Sequence, residues 1–381
     1  MLLGTGHAVM QGIPALESVD KVLVLYGDVP LIQTDTLQQL IDESMETSVG
    51  MMTVRVDDPQ GYGRIVRDEF DRIIRIVEHK DASADELTID EINAGIMVMD
   101  QLHLSAWLEA LNNDNVQNEY YLTDVIDMAV DEGHVVASVQ PQTADEVEGV
   151  NDRVQLAKME RLMQRQLVRQ LMLDGATLMD PERVDIRGSV RAGEDVTIDV
   201  NVILEGEIQI DRGVRIGANN VLRNCSIGEN ASILQNCVIE DAEIGGHCTI
   251  GPFARIRPGT VLTDGCHIGN FVELKNTLVG QSSKINHLSY VGDTTVGRDV
   301  NIGAGVITCN YDGANKHRTV IGDNVFLGSD TQLVAPVSVE AGATIGAGST
   351  ITRDAPADQL TLSRSKQITK SGWKRPVKES S

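Results

Sequence analysis

Aromatic side chains are scarce in this 381-residue chain: phenylalanine, tryptophan and tyrosine together make up 3% of it. Rings carry much of the packing in ordinary thick cores, so a core without them must be narrow and aliphatic. Cysteine is scarce as well. The five thiols, Cys225, Cys237, Cys248, Cys266 and Cys309, are odd in number and form no Cys-x-x-Cys pair. That sets aside a disulfide framework and points to a reduced, cytoplasmic setting. Positive charge is in deficit, with 32 Lys and Arg against 56 Asp and Glu, a net charge of −24. Such a surface speaks against nucleic acid or an anionic membrane as partner. Only the last stretch is basic, through Arg364, Lys366, Lys370, Lys374 and Arg375. No apolar run approaches the roughly 20 residues of a membrane span, so no membrane insertion is expected. The opening residues through His7 lack a basic and then apolar pattern, so no secretion signal is expected either.

What the chain does have is a rhythm of six. Ile198, Leu204, Ile210, Ile216 and Leu222 fall six apart, as do Ile244, Ile250, Ile256, Leu262, Ile268 and Leu274, and again Ile321, Leu327, Leu333, Val339, Ile345 and Ile351. Shorter runs lie between them, offset by slips of one residue, and the gap from Thr308 to Ile321 leaves room for a loop. A period of six fits neither a helix nor the simple alternation of a strand. It fits a solenoid whose coils have three short sides, each with one aliphatic residue pointing inward. Glycine often follows that residue, as at Gly217, Gly251 and Gly269, which suggests corners with unusual φ angles.

Residues 1–152 read as α/β. The apolar run Lys21–Tyr26 ends at Gly27-Asp28 and suggests a buried parallel strand with a loop at its carboxyl end, the edge at which open α/β sheets bind ligands. Helices are expected near 36–46, 105–112 and 122–131, and strands near 50–56, 72–77 and 94–99. Residues 153–174 read as a helical linker, with apolar residues at helical spacing and Gly175 as the stop. The solenoid domain then runs from 175 to the end.

Candidate chemistry gathers in two places. In the front domain Asp28 ends a strand, as magnesium ligands beside phosphates do, although turn and cap residues sit there too. Gly4-Thr5-Gly6 could bring backbone amides close to a nucleotide. Glu78, Asn93 and Asn151 carry no signal of their own. In the solenoid the polar residues Arg257, Lys275, His287, Tyr290, Asn301 and Asn310 through Lys316 cluster. Arg257 and Lys275, eighteen apart, should stack on successive coils as two cations for one phosphate. His287 is a candidate general base. His247, His267 and His287 are spaced by twenty, which does not stack in such a coil and argues against zinc there.

Several strings together carry a resemblance: Leu3 to Ala8, Tyr26 to Leu31, Gly61 to Ile65, Val77 to Ala82, Glu148 to Asn151, Gly251 to Arg255, Asn270 to Glu273, and Cys309 to Gly313. The chain resembles, over nearly its whole length, the bacterial bifunctional N-acetylglucosamine-1-phosphate uridyltransferase / glucosamine-1-phosphate acetyltransferase family. The resemblance implies a Rossmann-like nucleotide-sugar transferase domain, a helical arm and a left-handed parallel β-helix that forms a homotrimer. It also implies a cytoplasmic enzyme with glucosamine-1-phosphate, acetyl-CoA, UTP and UDP-N-acetylglucosamine as its small-molecule partners.

By the same resemblance, Gly4, Thr5, Tyr26, Gly27, Asp28, Gly63, Glu78, Asn93 and Asn151 would hold the UDP-sugar, and Asp28 with Asn151 would hold Mg2+. Arg257, Lys275, Tyr290, Asn301, Asn310 and Tyr311 would bind the sugar phosphate, with His287 as the catalytic base. Ala304, Asn310, Tyr311, Ser329, Ala347 and Arg364 would meet acetyl-CoA. The chain as given starts downstream of the family's first strand and Gly-rich phosphate loop, so the front domain reads as incomplete at its N-terminus. The expectation is therefore an acetyltransferase with an impaired uridyltransferase. Two other readings remain: a different hexapeptide acyltransferase, such as one using an acyl-carrier protein, or a non-catalytic sugar-nucleotide-binding scaffold.

Overall fold

The computed structural model describes residues 3–16 and 19–378. It divides into two compact units, Met1–Met163 and Gln164–Ser381. The first unit contains α1 (Thr5–Met10), β1 (Lys21–Val24), α2 (Thr34–Glu43), β2 (Val49–Arg55), β3 (Arg64–Arg67), β4 (Ile73–Val77), β5 (Glu91–Asp100), α3 (Gln101–Ala110), α4 (Asp124–Asp131) and β6 (Val136–Val139). The sheet order is β4-β3-β5-β2-β6, with β1 also paired to β5.

The expected parallel, buried strand at Lys21–Tyr26 is corrected here. β1 is antiparallel to β5, Lys21 facing Asp100 and Val24 facing Met97. It stops at Val24, and Leu25 is exposed. The apolar run misled because β5, the one partner of β1 among the described residues, itself runs against the direction of β1, β2 and β6. β5 is the centre of the sheet, and Ile96 through Met99 are all but fully buried. α3 and α4 supply Leu104, Trp107, Leu108, Val125, Ile126 and Ala129 to the core on one face.

Asp127, on α4, is caught in this packing. Its Oδ1 lies 3.4 Å from the Ile76 amide. Burial first, then the Asp124 charge, push its pKa from 3.8 to about 6, against the amide hydrogen bond. A carboxyl whose folded pKa lies above its unfolded one stabilises the fold below pH 4, and that contribution is lost as pH rises toward 6. Asp127→Asn should flatten this dependence and stabilise the unit at pH 7 by about 1 kcal/mol, after allowing for solvent screening. Thermal melts followed by Trp107 fluorescence from pH 4 to 8 would show it as a Tm rise of about 2–4 °C near neutrality; identical curves would refute it.

The long helix α5 spans Arg153–Leu173, and the boundary between the units falls within it. Its start is a reciprocal cap. Asp152 Oδ1 accepts from the amides of Val154 and Gln155, both at 2.8 Å, while Gln155 Oε1 accepts from Asn151 and Asp152. Such a box satisfies amides that the helix itself leaves unpaired. Its end is Gly175, at φ +107°.

In the second unit every residue of the hexad series is buried, from Ile198 to Ile351, including Thr308. Each aliphatic contributes on the order of 1.5–3 kcal/mol, and together they form one continuous core capped by Val168 and Leu171 of α5. One wall is an eleven-stranded parallel sheet; a fifteen-stranded one makes the other two. The larger sheet forks at Val238–Ile244, whose first half pairs with Arg255–Ile256 and second half with Thr260–Leu262. Most coils are seventeen or eighteen residues long, as in Ile216↔Ile233 and Ile250↔Ile268, and the coil carrying the loop takes twenty-five, Ile302↔Leu327. Of the glycines that follow the inward residues, Gly251 has the unusual backbone expected, at φ +100°, while Gly217 and Gly269 need another reason. At Gly269 a Cβ would lie 1.9 Å from the backbone oxygen of Asn286, so close approach of the next coil demands glycine there, not a positive φ. The left-handed corner positions are held largely by Asn and Asp, such as Asn219, Asn236 and Asp299. Burial pushes the Cys225 thiol up to about 12, and all five cysteines are free.

Candidate functional sites

The first unit carries a cleft of about 370 Å³. Thr5, Tyr26, Asp28, Gly63, Glu78, Asn93 and Asn151, all singled out from sequence, line it together. Two others do not. Gly27 lines a neighbouring hollow with Tyr26 and Ala8. Gly4 packs against the backbone of Tyr120, where a Cβ would come within 2.5 Å of its carbonyl oxygen. The amide of Val150 donates to the Asp28 carbonyl at 2.8 Å, and this backbone bond brings the segment bearing Asn151 to Asp28. The Asn93 amide donates to the Gly63 carbonyl at 2.9 Å, and Asn93 Oδ1 accepts from Gly95. Glu78 accepts from Thr123 Oγ1 at 3.1 Å. Burial, with the Asp81 charge, holds the Glu78 carboxyl above its usual range. Burial, then Glu78 and Asp28, raises the Tyr26 phenol. The floor is thus acidic and partly dry, with Lys80 and His79 at its rim. Thr123, Tyr121 and Gly95 also line it; sequence reasoning missed them because none stands in a motif.

In the second unit the sequence-derived residues fall on two adjoining walls. Arg257 and Lys275 stack as expected: Ile256 pairs with Leu274, and the Arg257 amide donates to the Leu274 carbonyl at 2.9 Å. Lys275 faces Gly292 in the next coil, and Tyr290 faces Glu273. Arg257 is paired with Glu273 at 2.7 Å, and Lys275 lies 3.9 Å from Asp293. Burial works against the Asp293 carboxylate, but hydrogen bonds from Asn276 and Asn310 and the Lys275 charge hold its pKa below the ordinary value. Lys316, in the cluster read from sequence but given no role there, joins them. Its ammonium faces that of Lys275, which lowers its pKa, and two crowded cations favour an anion between them. Asn310 Nδ2 also reaches the Tyr290 hydroxyl at 3.5 Å. Tyr311 is exposed, its hydroxyl donating to Gly313 within the loop that closes at Lys316.

His287 ends a strand on the neighbouring wall, and Leu288, at φ +49°, turns the corner to Tyr290. One coil earlier, Asn270 Oδ1 lies 2.9 Å from His287 Nδ1. With the proton on Nδ1, Nε2 keeps its lone pair, the form a base requires. The register then runs Ile285↔Ile302↔Leu327↔Ile345. His287, Ala304, Ser329 and Ala347 each stand two residues further on, and form one column along a corner. Backbone bonds join it: the Gly305, Asp330 and Gly348 amides donate to the carbonyls of His287, Ala304 and Ser329. Arg364 Nη1 donates to the Ala347 carbonyl at 2.9 Å. Asn301 is on the same wall, facing Lys284 and Phe326. Asn270, one coil before the histidine, could have been found by counting seventeen residues back.

An α/β unit with a cleft, followed by a hexapeptide solenoid with an Asn270-oriented histidine one corner from stacked cations, defines a two-part transferase. Residues 2–145 match the nucleotidyl transferase family, 182–268 the GMPPB C-terminal domain, and 318–353 the bacterial transferase hexapeptide (six repeats). The chain is 57% identical over 377 residues to the bifunctional protein GlmU of Aromatoleum aromaticum, and 56% identical to those of Ralstonia nicotianae, over 377 residues, and Methylococcus capsulatus, over 376. These alignments cover 98–99% of this chain and 82–83% of the relatives. The chain belongs to the family of bifunctional GlmU proteins, and is a bifunctional transferase. The expected impairment of uridylyl transfer finds no support in these relatives, which are bifunctional by name. Among the described residues no helix is long and apolar enough to cross a membrane.

Proposed function

We propose that the chain performs both reactions that the family resemblance implies. The solenoid acetylates glucosamine-1-phosphate from acetyl-CoA, and the front unit transfers uridylyl from UTP to N-acetylglucosamine-1-phosphate, giving UDP-N-acetylglucosamine. The observation that carries the first reaction is the column of small residues leading to an Asn270-oriented His287, one corner away from Arg257, Lys275 and Lys316. The cations hold the sugar phosphate, with Tyr290, Asn301 and Asn310 positioning the ring. The sugar amine attacks the thioester carbon, His287 Nε2 takes the amine proton, and the C–S bond breaks to release the thiol. Ala304, Ser329 and Ala347 offer little bulk, so an extended pantetheine arm lies along them, and Arg364 meets the anionic end of the coenzyme.

In the front unit the sugar phosphate attacks the α-phosphorus of UTP and pyrophosphate leaves; catalysis is positioning and charge neutralisation. Thr5, Tyr26 and Asp28 line the nucleotide end, and Gly63, Glu78 and Asn93 the sugar end. Asp28 and Asn151 are hard oxygen donors in one cleft, tied through the Val150 amide, and fit Mg2+. Mg2+ bound there would neutralise phosphate charge. Free thiols go with a cytoplasmic location. On one preparation, thiol release should depend on glucosamine-1-phosphate and acetyl-CoA, and pyrophosphate release on UTP and N-acetylglucosamine-1-phosphate. Acetyl transfer that ignores the aminosugar phosphate would favour another hexapeptide acyltransferase.

The chain further acts as a homotrimer. Phe253, Phe271 and Leu288 stand in one corner column, exposed and at positive φ, where most corners carry Asn, Asp or Gly. The two phenyl rings stack at 5.3 Å. Bulky apolar residues held there at a conformational cost suit burial against another copy. Phe271→Asp should shift sedimentation from trimer to monomer while Phe271→Tyr leaves it unchanged; a trimeric Phe271→Asp would put the interface elsewhere.

A further inference from the structure

Three side chains outside both candidate sites converge in the first unit. His103 sits in the first turn of α3, Glu132 closes α4, and His134 follows the turn at Gly133, where φ is +87°. One ligand atom from each lies within 4.8 Å of the other two, and among the described residues this is the one such group of three His, Cys, Asp or Glu. His134 Nε2 is 3.7 Å from Glu132 Oε2. The two imidazoles meet edge to face with centroids 4.6 Å apart. None of the three lines the cleft.

A plain aromatic cluster would explain the stacking of His103 on Trp107, at 5.3 Å. It does not explain the carboxylate. Among the described residues Glu132 has no Lys or Arg partner in an ion pair, and its Oε2 accepts the Trp107 indole N–H at 3.1 Å. That bond orients the carboxylate toward the rings, as outer partners of metal ligands do. Two imidazoles and one carboxylate are a donor set that leaves a fourth position for water on zinc. Donors about 2.1 Å from such an ion stand roughly 3.4 Å apart, so edges that are now within 4.8 Å need to contract by up to about 1.4 Å. Imidazole donors favour borderline transition ions over Mg2+ or Ca2+. The frame is firm, since Leu104, Leu108, Val125 and Ala129 pack α3 and α4 into one core, and the net charge of −24 draws cations.

We propose that His103, Glu132 and His134 form a binding site for a divalent transition-metal ion, Zn2+ foremost, which clamps the start of α3 to the end of α4. The site stabilises the front unit by mass action when the ion is present.

Trp107 reports on it directly, because the other tryptophan, Trp373, is exposed in the C-terminal tail. Full-length protein stripped with EDTA should change its fluorescence saturably on Zn2+ addition, at about one equivalent, and millimolar Mg2+ should not reproduce the change. Co2+ should give visible bands of a low-coordinate site. His103→Gln and His134→Gln should each weaken binding by about 100-fold or more, and Trp107→Phe, read by Co2+ absorption, by about 10-fold. Glu132→Gln, an exposed change that leaves the core untouched, guards against misfolding of the histidine variants and should also weaken binding. Absence of saturable binding in the wild type would overturn the proposal. So would undiminished binding in both histidine variants, which would move the ion to other histidines or the thiols.

Discussion

His287→Ala should lower kcat for acetyl transfer by about 10²- to 10⁴-fold, the usual contribution of a positioned general base, while UTP-dependent pyrophosphate release stays at the wild-type rate. The expectation rests on a hydrogen bond that leaves one ring nitrogen available: Asn270 Oδ1 engages Nδ1 at 2.9 Å, so Nε2 is free to take a proton. His287 lies at the surface end of its strand, so its loss costs little stability, and a fall in rate would be chemical in origin. A variant with undiminished acetyl transfer would remove His287 from the mechanism and leave another base to take the proton.

Gly95→Ala should give the opposite pattern, with kcat/KM for uridylyl transfer down by about 10²-fold, the penalty for a displacement near 1 Å at a reacting centre, and acetyl transfer unaffected. Gly95 sits in the central strand β5 at φ +77°, and a Cβ there would fall 2.2 Å from the Tyr26 ring. The left-handed conformation alone costs an alanine about 1 kcal/mol; the collision forces Tyr26 out of the cleft floor it shares with Asp28 and Asn93. Steady-state pyrophosphate release measures the effect. A variant within a few-fold of wild type would detach Tyr26 from the nucleotide. Together the two substitutions separate the activities by unit, which neither a single-function acyltransferase nor a binding scaffold allows.

The solenoid was legible because one rule repeats. The inward position recurs every six residues, and each member of that series is buried, so register and the stacking of Arg257 on Lys275 follow from counting. Gly251 has the backbone expected of a corner, but Gly217 and Gly269 are required by the nearness of the adjacent coil, which depends on backbone separation and not on local sequence. The front unit was harder. Its helices and most strands followed hydrophobic patterns, but the direction of β1 was set by β5, some seventy residues away, and no local pattern encodes a partner. The cleft was legible only through the family resemblance: Glu78, Asn93 and Asn151 meet because β4 ends, β5 begins and the segment before α5 passes at the same place. The roles of Lys316 and Asn270, both within named stretches, were hidden because they come from neighbours in space.

The corner column has a consequence for reach. Each coil advances about 4.7–4.9 Å along the stack, so His287 and Ala347, three coils apart by register, are separated by about 14 Å whatever occupies the loops between them. The eight residues from Asn310 to His317 bulge outward and leave that interval unchanged, as Ile302 still pairs with Leu327. Such a frame meters length in whole steps. Surface insertions leave its gauge intact, and a longer or shorter donor could be accommodated only by adding or removing an entire coil.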